Sequence, residues 1–133
     1  LIEWNICNNP DLFLTYAVTC LGLGINLKLT GINSLNYKES NRLKVIKKEL
    51  LKFNARVKIK DNIFFLDTAG VDLKFSSITT YFDHRVALAF SPLVILTKKI
   101  EIDNYDVVSK SYPQFWSDLK KIGIKIITNN KSL

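Results

Sequence analysis

The chain reads as a mixed α/β protein made of two repeated α/β units, residues 1–70 and 71–133. Two observations predict this. Segments with strand-like alternation and segments with helical apolar spacing succeed one another as strand, helix, strand, helix, strand, and the order then begins again. In each half, an aspartate opening one helical stretch is followed, at the same separation, by a lysine opening the next: Asp11 and Lys38, then Asp83 and Lys110. Equal spacing marks an internal repeat split near Thr68-Ala69-Gly70, each copy placing an acidic and a lysine helix start on one rim.

Taken in order, residues 1–7 are short and apolar-rich and predict a strand, and Asn8-Asn9-Pro10-Asp11 supplies a turn and a cap for a helix over 12–23. Gly22 and Gly24 stop that helix, and residues 25–30 alternate apolar with polar, as a strand with one buried face should. A turn around Gly31 follows. From Lys38 to Phe53, Leu43, Ile46, Leu50 and Leu51 recur at helical spacing with Lys44, Lys47, Lys48 and Glu49 outside. Residues 56–60 and 63–66, separated by Asp61-Asn62, make a hairpin. In the second half, 77–81 is a β-branched strand, 83–97 holds a helix, 99–103 alternates, 112–121 is helical, and Gly123 precedes a strand-like 124–127.

Composition narrows the function classes. With 133 residues and 47% hydrophobic content, the chain has enough material for one compact core. It contains no methionine and opens at Leu1, which points to a C-terminal piece of a longer protein. The net charge of +7, from 19 Lys+Arg against 12 Asp+Glu, suits small anionic substrates, nucleic acid or a membrane surface. Lys44, Lys47, Lys48, Lys52, Lys120 and Lys121 fall on polar helix faces and read as a solvated surface. No aromatic-rich strand or basic tail accompanies the charge, so a nucleic-acid partner is not expected.

Cys7 and Cys20 stand without Cys-x-x-Cys spacing or a secretory signal, which fits a reducing cytoplasm. The longest apolar stretch, 86–97, is interrupted by Ser91-Pro92 and is much shorter than the ~20 residues of a membrane crossing, so no membrane association is expected. A single histidine and scattered carboxylates supply no metal-ligand spacing, and no metal is expected.

The charged residues at the helix starts are the most telling. Lys38-Glu39-Ser40-Asn41-Arg42 and Asp83-His84-Arg85 are dense clusters, each opening a helical stretch, with Asn9-Pro10-Asp11 and Lys110-Ser111-Tyr112-Pro113 opening the other two. Unpaired N–H groups and the positive dipole end make helix N-termini suited to phosphate and carboxylate ligands, the more so with cations beside them.

Pro10-Asp11, Lys38-Glu39-Ser40-Asn41-Arg42, Asp83-His84-Arg85-Val86-Ala87 and Lys110-Ser111-Tyr112-Pro113-Gln114-Phe115 resemble, in order and spacing, the C-terminal part of the 3-phosphoshikimate 1-carboxyvinyltransferase (EPSP synthase) family. The resemblance implies repeated βαβαββ units, here forming part of one domain of an inside-out α/β barrel fold. It also implies transfer of the carboxyvinyl group of phosphoenolpyruvate to the 5-hydroxyl of shikimate 3-phosphate, with release of phosphate, in the chorismate branch of aromatic amino-acid synthesis. No cofactor is implied. The missing N-terminal part of the same chain would supply the other substrate contacts, the full-length protein would be a monomer, and the isolated piece would be inactive.

By the same resemblance, Asp11 contacts the shikimate hydroxyls and accepts a proton, provided that burial raises its pKa. Its plainer reading is a helix N-cap. Lys38 reaches the 3-phosphate, Glu39 moves a proton at the phosphoenolpyruvate methylene, and Arg42, Arg85 and Lys110 form a three-cation clamp on phosphoenolpyruvate. A helix-start charge pair is the plainer reading of Lys38 and Glu39, and a surface ion pair that of Arg42. His84 is a supporting group that orients or polarises the reacting centre.

Asp83, Ser111 and Pro113 look like cap and first-turn residues. Ser34 stands where the family has a substrate-contacting asparagine and is kept as a candidate. Asn36 replaces a usual basic residue, Asn41 a frequent aspartate, and Leu88 a frequent methionine, none at a position expected to do chemistry. The competing readings are the related transferase that acts on UDP-N-acetylglucosamine, whose expected motifs differ, and a basic non-catalytic binding module.

Overall fold

In the computed structural model, which describes residues 1–74 and 76–129, the first half of the chain builds a four-stranded sheet and the second half a two-stranded one. β1 (Ile2–Asn5) lies parallel to β2 (Leu27–Thr30), with Ile2 opposite Leu27. The crossover between them is α1 (Phe13–Leu23). α2 (Arg42–Leu51) then leads to the hairpin of β3 (Arg56–Lys60) and β4 (Ile63–Asp67), and β4 pairs antiparallel with β2, so the sheet order is β1-β2-β4-β3. In the second half, β5 (Ser76–Ile78) and β6 (Ile100–Ile102) are parallel. They are joined by α3 (His84–Phe90), a 3-10 turn at Ser91–Leu93 and α4 (Val94–Thr97), and α5 (Phe115–Lys121) follows.

Local chemistry explains these elements. α1 buries Phe13, Leu14, Ala17, Val18, Cys20 and Leu21 and ends at Gly24, whose left-handed φ of 67° lets its N–H return to the last turn. Asp61 and Asn62 both adopt positive φ, 50° and 62°, the conformation a two-residue hairpin loop demands. β3 and β4 alternate: Val57, Ile59, Phe64 and Leu66 face the core, while Arg56, Lys58 and Lys60 guard the open edge with charge.

The halves do not have separate cores. One apolar cluster runs from Ile6 and Phe13 through Leu50 and Phe53 to Ile78, Val86, Phe90 and Leu93, with Phe53 stacked on Phe90 at 6.4 Å. Truncating any of these to alanine would cost about 2–5 kcal/mol. A smaller cluster, Ala87, Val108 and Phe115, seats α5. Among the described residues no helix is long and apolar enough to cross a membrane.

Several element boundaries differ from the sequence expectation. Residues 38–41 are not helical: a 3-10 turn at Asn33–Tyr37 precedes them, and α2 starts after Asn41, whose Oδ1 accepts the Lys44 N–H at 3.1 Å. Short polar side chains bond the backbone better as caps than inside a helix. The helix expected over 83–97 is broken at Ser91-Pro92, because proline cannot donate to the preceding turn. α5 begins only at Phe115, with Gln114 at the cap position, so Ser111 and Pro113 are neither cap nor first turn. Residues 124–127 form no strand among the described residues: Ile124 instead returns its N–H to Leu119, and no neighbouring strand offers a ladder. The strand expected over 77–81 stops at Ile78, because Tyr81 and Phe82 turn left-handed, with φ of 53° and 57°. Glu49 and Leu51 trade the sides expected of them, Glu49 buried and Leu51 exposed.

Candidate functional site

Four segments bring their charged side chains to one place. The 3-10 turn at Pro10–Leu12 carries Asp11, the segment before α2 carries Lys38, Glu39 and Ser40, α2 starts with Arg42, and α3 brings Asp83 at its cap and Arg85 in its first turn. Asn9, not Asp11, holds the cap position of the first turn and makes no side-chain cap bond, so the plainer reading of Asp11 fails and its carboxylate is free to meet cations.

Arg42 is the hub. Its side chain is fully buried, and Nε and Nη2 reach Asp83 Oδ2 and Oδ1 at 2.9 and 3.3 Å. Nη1 donates to Asp11 Oδ1 at 2.9 Å and Nη2 to Glu39 Oε2 at 2.7 Å. A guanidinium has five N–H donors, so nearly all are engaged. Arg42 is therefore no surface pair. Lys38 Nζ lies 3.3 Å from Asp11 Oδ1, and Arg85 Nη2 3.4 Å from Asp11 Oδ2. Lys38 and Arg85 keep 26% and 36% of their side chains exposed, which leaves these two cations available to a ligand from solvent. Asp83 is fully buried, takes the Ser40 hydroxyl at 2.8 Å, and caps α3 through the Arg85 N–H at 3.0 Å.

The cluster balances Lys38, Arg42 and Arg85 against Asp11, Glu39 and Asp83. The hydrogen bond from Arg42 does most to hold the Asp11 carboxyl below the usual carboxylate range; burial pushes the other way, and Arg85 and Lys38 add to the downward pull. For Asp83, burial pushes upward most, but the Arg42 and Ser40 hydrogen bonds, the Arg42 charge and the Arg85 amide together bring the carboxyl below its ordinary value. Burial pulls the Arg42 guanidinium down, and Asp83, Asp11 and Glu39 more than reverse it. Asp11, Asp83 and Arg42 are thus each held in the charged form near neutral pH. The raised pKa expected for Asp11 is not the state found here: in this arrangement it is a hydrogen-bond acceptor and a poor base.

Asp11, Lys38, Glu39, Arg42 and Arg85, picked out from the sequence, are joined in this network. Three others are not. His84 is half-buried at the first position of α3, between two network members, and its imidazole makes no hydrogen bond among the described residues. Ser34 is exposed in the 3-10 turn, and Lys110 is exposed beyond the 3-10 turn at Tyr105–Val108, each without a polar partner among the described residues. No group of three or more His, Cys, Asp or Glu that could hold a metal occurs among the described residues.

Sequence reasoning missed the second job of Asp83, as the principal partner of Arg42, and it missed Glu49. The available signal was spacing: Glu49 follows Arg42 by two helical turns, which puts both on one face of α2. The segment that delivers Asp83 is strained, since two successive non-glycine left-handed residues cost about 1–2 kcal/mol each.

Comparison with known proteins identifies the family of the chain. The family model described as EPSP synthase (3-phosphoshikimate 1-carboxyvinyltransferase) matches residues 1–119. A 3-phosphoshikimate 1-carboxyvinyltransferase of Bacteroides fragilis is 42% identical over 119 residues, covering 88% of this chain and 29% of that protein. Proteins of the same name from Clostridium acetobutylicum and Methanopyrus kandleri are 35% and 30% identical, over 86% and 94% of this chain and 27% and 29% of theirs. The chain thus spans under a third of the length of these curated relatives. The solved structure of EPSP synthase from Acinetobacter baumannii superposes with a TM-score of 0.74 at 22% identity, over 84% of this chain and 27% of that one, which makes the fold a part of the EPSP synthase fold. By sequence and by fold, the chain belongs to the EPSP synthase family.

Proposed function

We propose that this chain forms part of a cytoplasmic transferase that moves the carboxyvinyl group of phosphoenolpyruvate to the 5-hydroxyl of shikimate 3-phosphate and releases phosphate. The observation that carries the reading is the convergence of Asp11 with Lys38, Arg42 and Arg85, at the positions where the family motifs fall. Both substrates are phosphorylated, and one also carries the carboxylate next to its reacting carbons, so the two partly exposed cations, Lys38 and Arg85, suit them electrostatically.

In this reading Asp11 accepts the proton of the attacking hydroxyl, Glu39 exchanges a proton with the methylene carbon, and His84 orients the reacting centre. Lys38 holds the 3-phosphate, with Ser34 beside the same substrate, and Arg42, Arg85 and Lys110 hold phosphoenolpyruvate. The low pKa of Asp11 becomes useful here. Substrate anions that draw Lys38 and Arg85 away remove two of the charges that hold it down, so its basicity rises only when the hydroxyl is in place. Arg42 gains a ligand by releasing half-exposed Glu39, which frees that carboxylate for proton transfer.

The two halves, 1–70 and 71–133, are proposed to be copies of one unit whose facing rims share the network, since Arg42 of the first binds Asp83 of the second. Another part of the polypeptide supplies the remaining substrate contacts, so the isolated chain is expected to be inactive and the complete enzyme to act as a monomer. The test is phosphate release by the complete protein. Glu39→Gln should lower kcat by about 100-fold, and Lys110→Ala should raise KM for phosphoenolpyruvate about tenfold. Near-normal rates in both variants would remove the site assignment.

A further inference from the structure

α2 carries a second buried charge. Glu49 is 0% exposed, an unusual place for a carboxylate, and its oxygens take three donors: Lys52 Nζ at 2.6 Å, the Thr79 N–H at 3.3 Å and the Tyr81 hydroxyl at 3.0 Å. Lys52 Nζ continues to the Ser77 carbonyl at 2.7 Å, so the end of α2 holds the chain at 77, 79 and 81. This is the segment that delivers Asp83. Within it, Tyr81 and Phe82 are left-handed at φ 53° and 57°, Phe82 is 78% exposed, and buried Thr80 has no hydrogen-bond partner for its hydroxyl among the described residues. Such a conformation persists only where its surroundings hold it. The Asp103 carboxylate takes the Thr80 N–H at 2.7 Å, and the Asp83 N–H closes the turn on the Thr80 carbonyl at 2.9 Å.

We propose that Glu49, through the Tyr81 hydroxyl and the Thr79 amide, is a positioning residue that locks residues 79–83 in their left-handed turn and so aims Asp83 at Arg42 and sets Arg85 on α3. Gripped by α2 at both ends, by Glu49 at the start of the segment and Arg42 at its finish, the turn keeps a fixed register with the helix. This rests on the reading of the network given above. Without the grip, the turn relaxes toward ordinary φ, Asp83 shifts, and the two arginines lose their common alignment while the apolar core stays intact.

The experiment compares Tyr81→Phe and Glu49→Gln with wild type in the complete polypeptide, by NMR of the arginine Nε–H groups alongside backbone amides. The Arg42 Nε–H, held to Asp83 at 2.9 Å, should exchange slowly in wild type and about tenfold faster in Tyr81→Phe, with the Leu29 and Phe64 amides unchanged. Steady-state kinetics should show KM for phosphoenolpyruvate rising about tenfold in Tyr81→Phe, with KM for shikimate 3-phosphate nearly constant. Glu49→Gln, which keeps an oxygen for Tyr81 but loses the charge, should fall between the two. Equal acceleration of Arg42 and the core amides would mean a merely structural role and overturn the proposal, as would unchanged exchange at Arg42. The exchange measurement needs no turnover, so it judges the clamp even if the assigned reaction is wrong.

Discussion

Replacing Asp83 with asparagine isolates the charge of the network's buried centre. Asparagine caps a helix about as well as aspartate, so α3 keeps its start, and the change removes little but the negative charge facing Arg42. Both partners are fully buried, with the two contacts at 2.9 and 3.3 Å. An uncompensated buried charge costs about 3–5 kcal/mol. Asp11 and Glu39 still face the guanidinium, and the asparagine oxygen still accepts one N–H, so the expected loss lies at the low end, about 3 kcal/mol. For a chain of this size that lowers Tm by about 10 °C.

Glu39→Gln is the internal comparison, because it removes a partner of the same guanidinium whose side chain is 51% exposed, where an ion pair contributes less than about 1 kcal/mol. Urea unfolding at unchanged m measures both. A loss below about 1 kcal/mol for Asp83→Asn, or equal losses in the two variants, would refute the claim that burial sets the strength of this network.

Further outcomes follow from the same geometry. Asp11 and Asp83 have native pKa values below the unfolded carboxylate value, so their stabilisation is complete above about pH 4 and disappears as pH falls below that through the depressed values. Acid titration of stability should show this limb, and Asp83→Asn should flatten it. Arg42→Lys keeps the charge but loses the fork, and calorimetry should show a loss of about 2 kcal/mol. Gly31→Ala should be far worse than Gly24→Ala. Both sites are left-handed, but at Gly31 a Cβ would lie 2.5 Å from Asn5 Oδ1 and 2.6 Å from Cys7 N, whereas nothing lies within 4 Å at Gly24, where strain alone costs about 1–2 kcal/mol.

Much of this was legible in the chain. Alternation at 25–30 and the Asp61-Asn62 loop gave β2 and the hairpin because period and turn chemistry are local properties. Asp11, Lys38, Glu39, Arg42 and Arg85 could be picked out together because each sits in a short motif. Boundaries were less legible where no apolar residue marks them, as at residues 38–41, where the cap asparagine sets the start of α2.

Sequence by itself determined most element types and the identity of most charged groups brought together, since these depend on neighbours a few residues apart; it misjudged 124–127, which forms no strand among the described residues, and 83–97, which is broken at Ser91-Pro92. Tertiary structure alone decided which of them are buried. Arg42, picked out as a ligand cation with a surface ion pair as its plainer reading, became the buried hub, Glu49 looked solvated and is buried under three donors, and Asp83 looked like a simple cap, because α3 packs against α1 and its cap meets the start of α2. The protonation states followed from that packing: a carboxylate's pKa depends on cations that lie dozens of residues away in the chain and one hydrogen bond away in space.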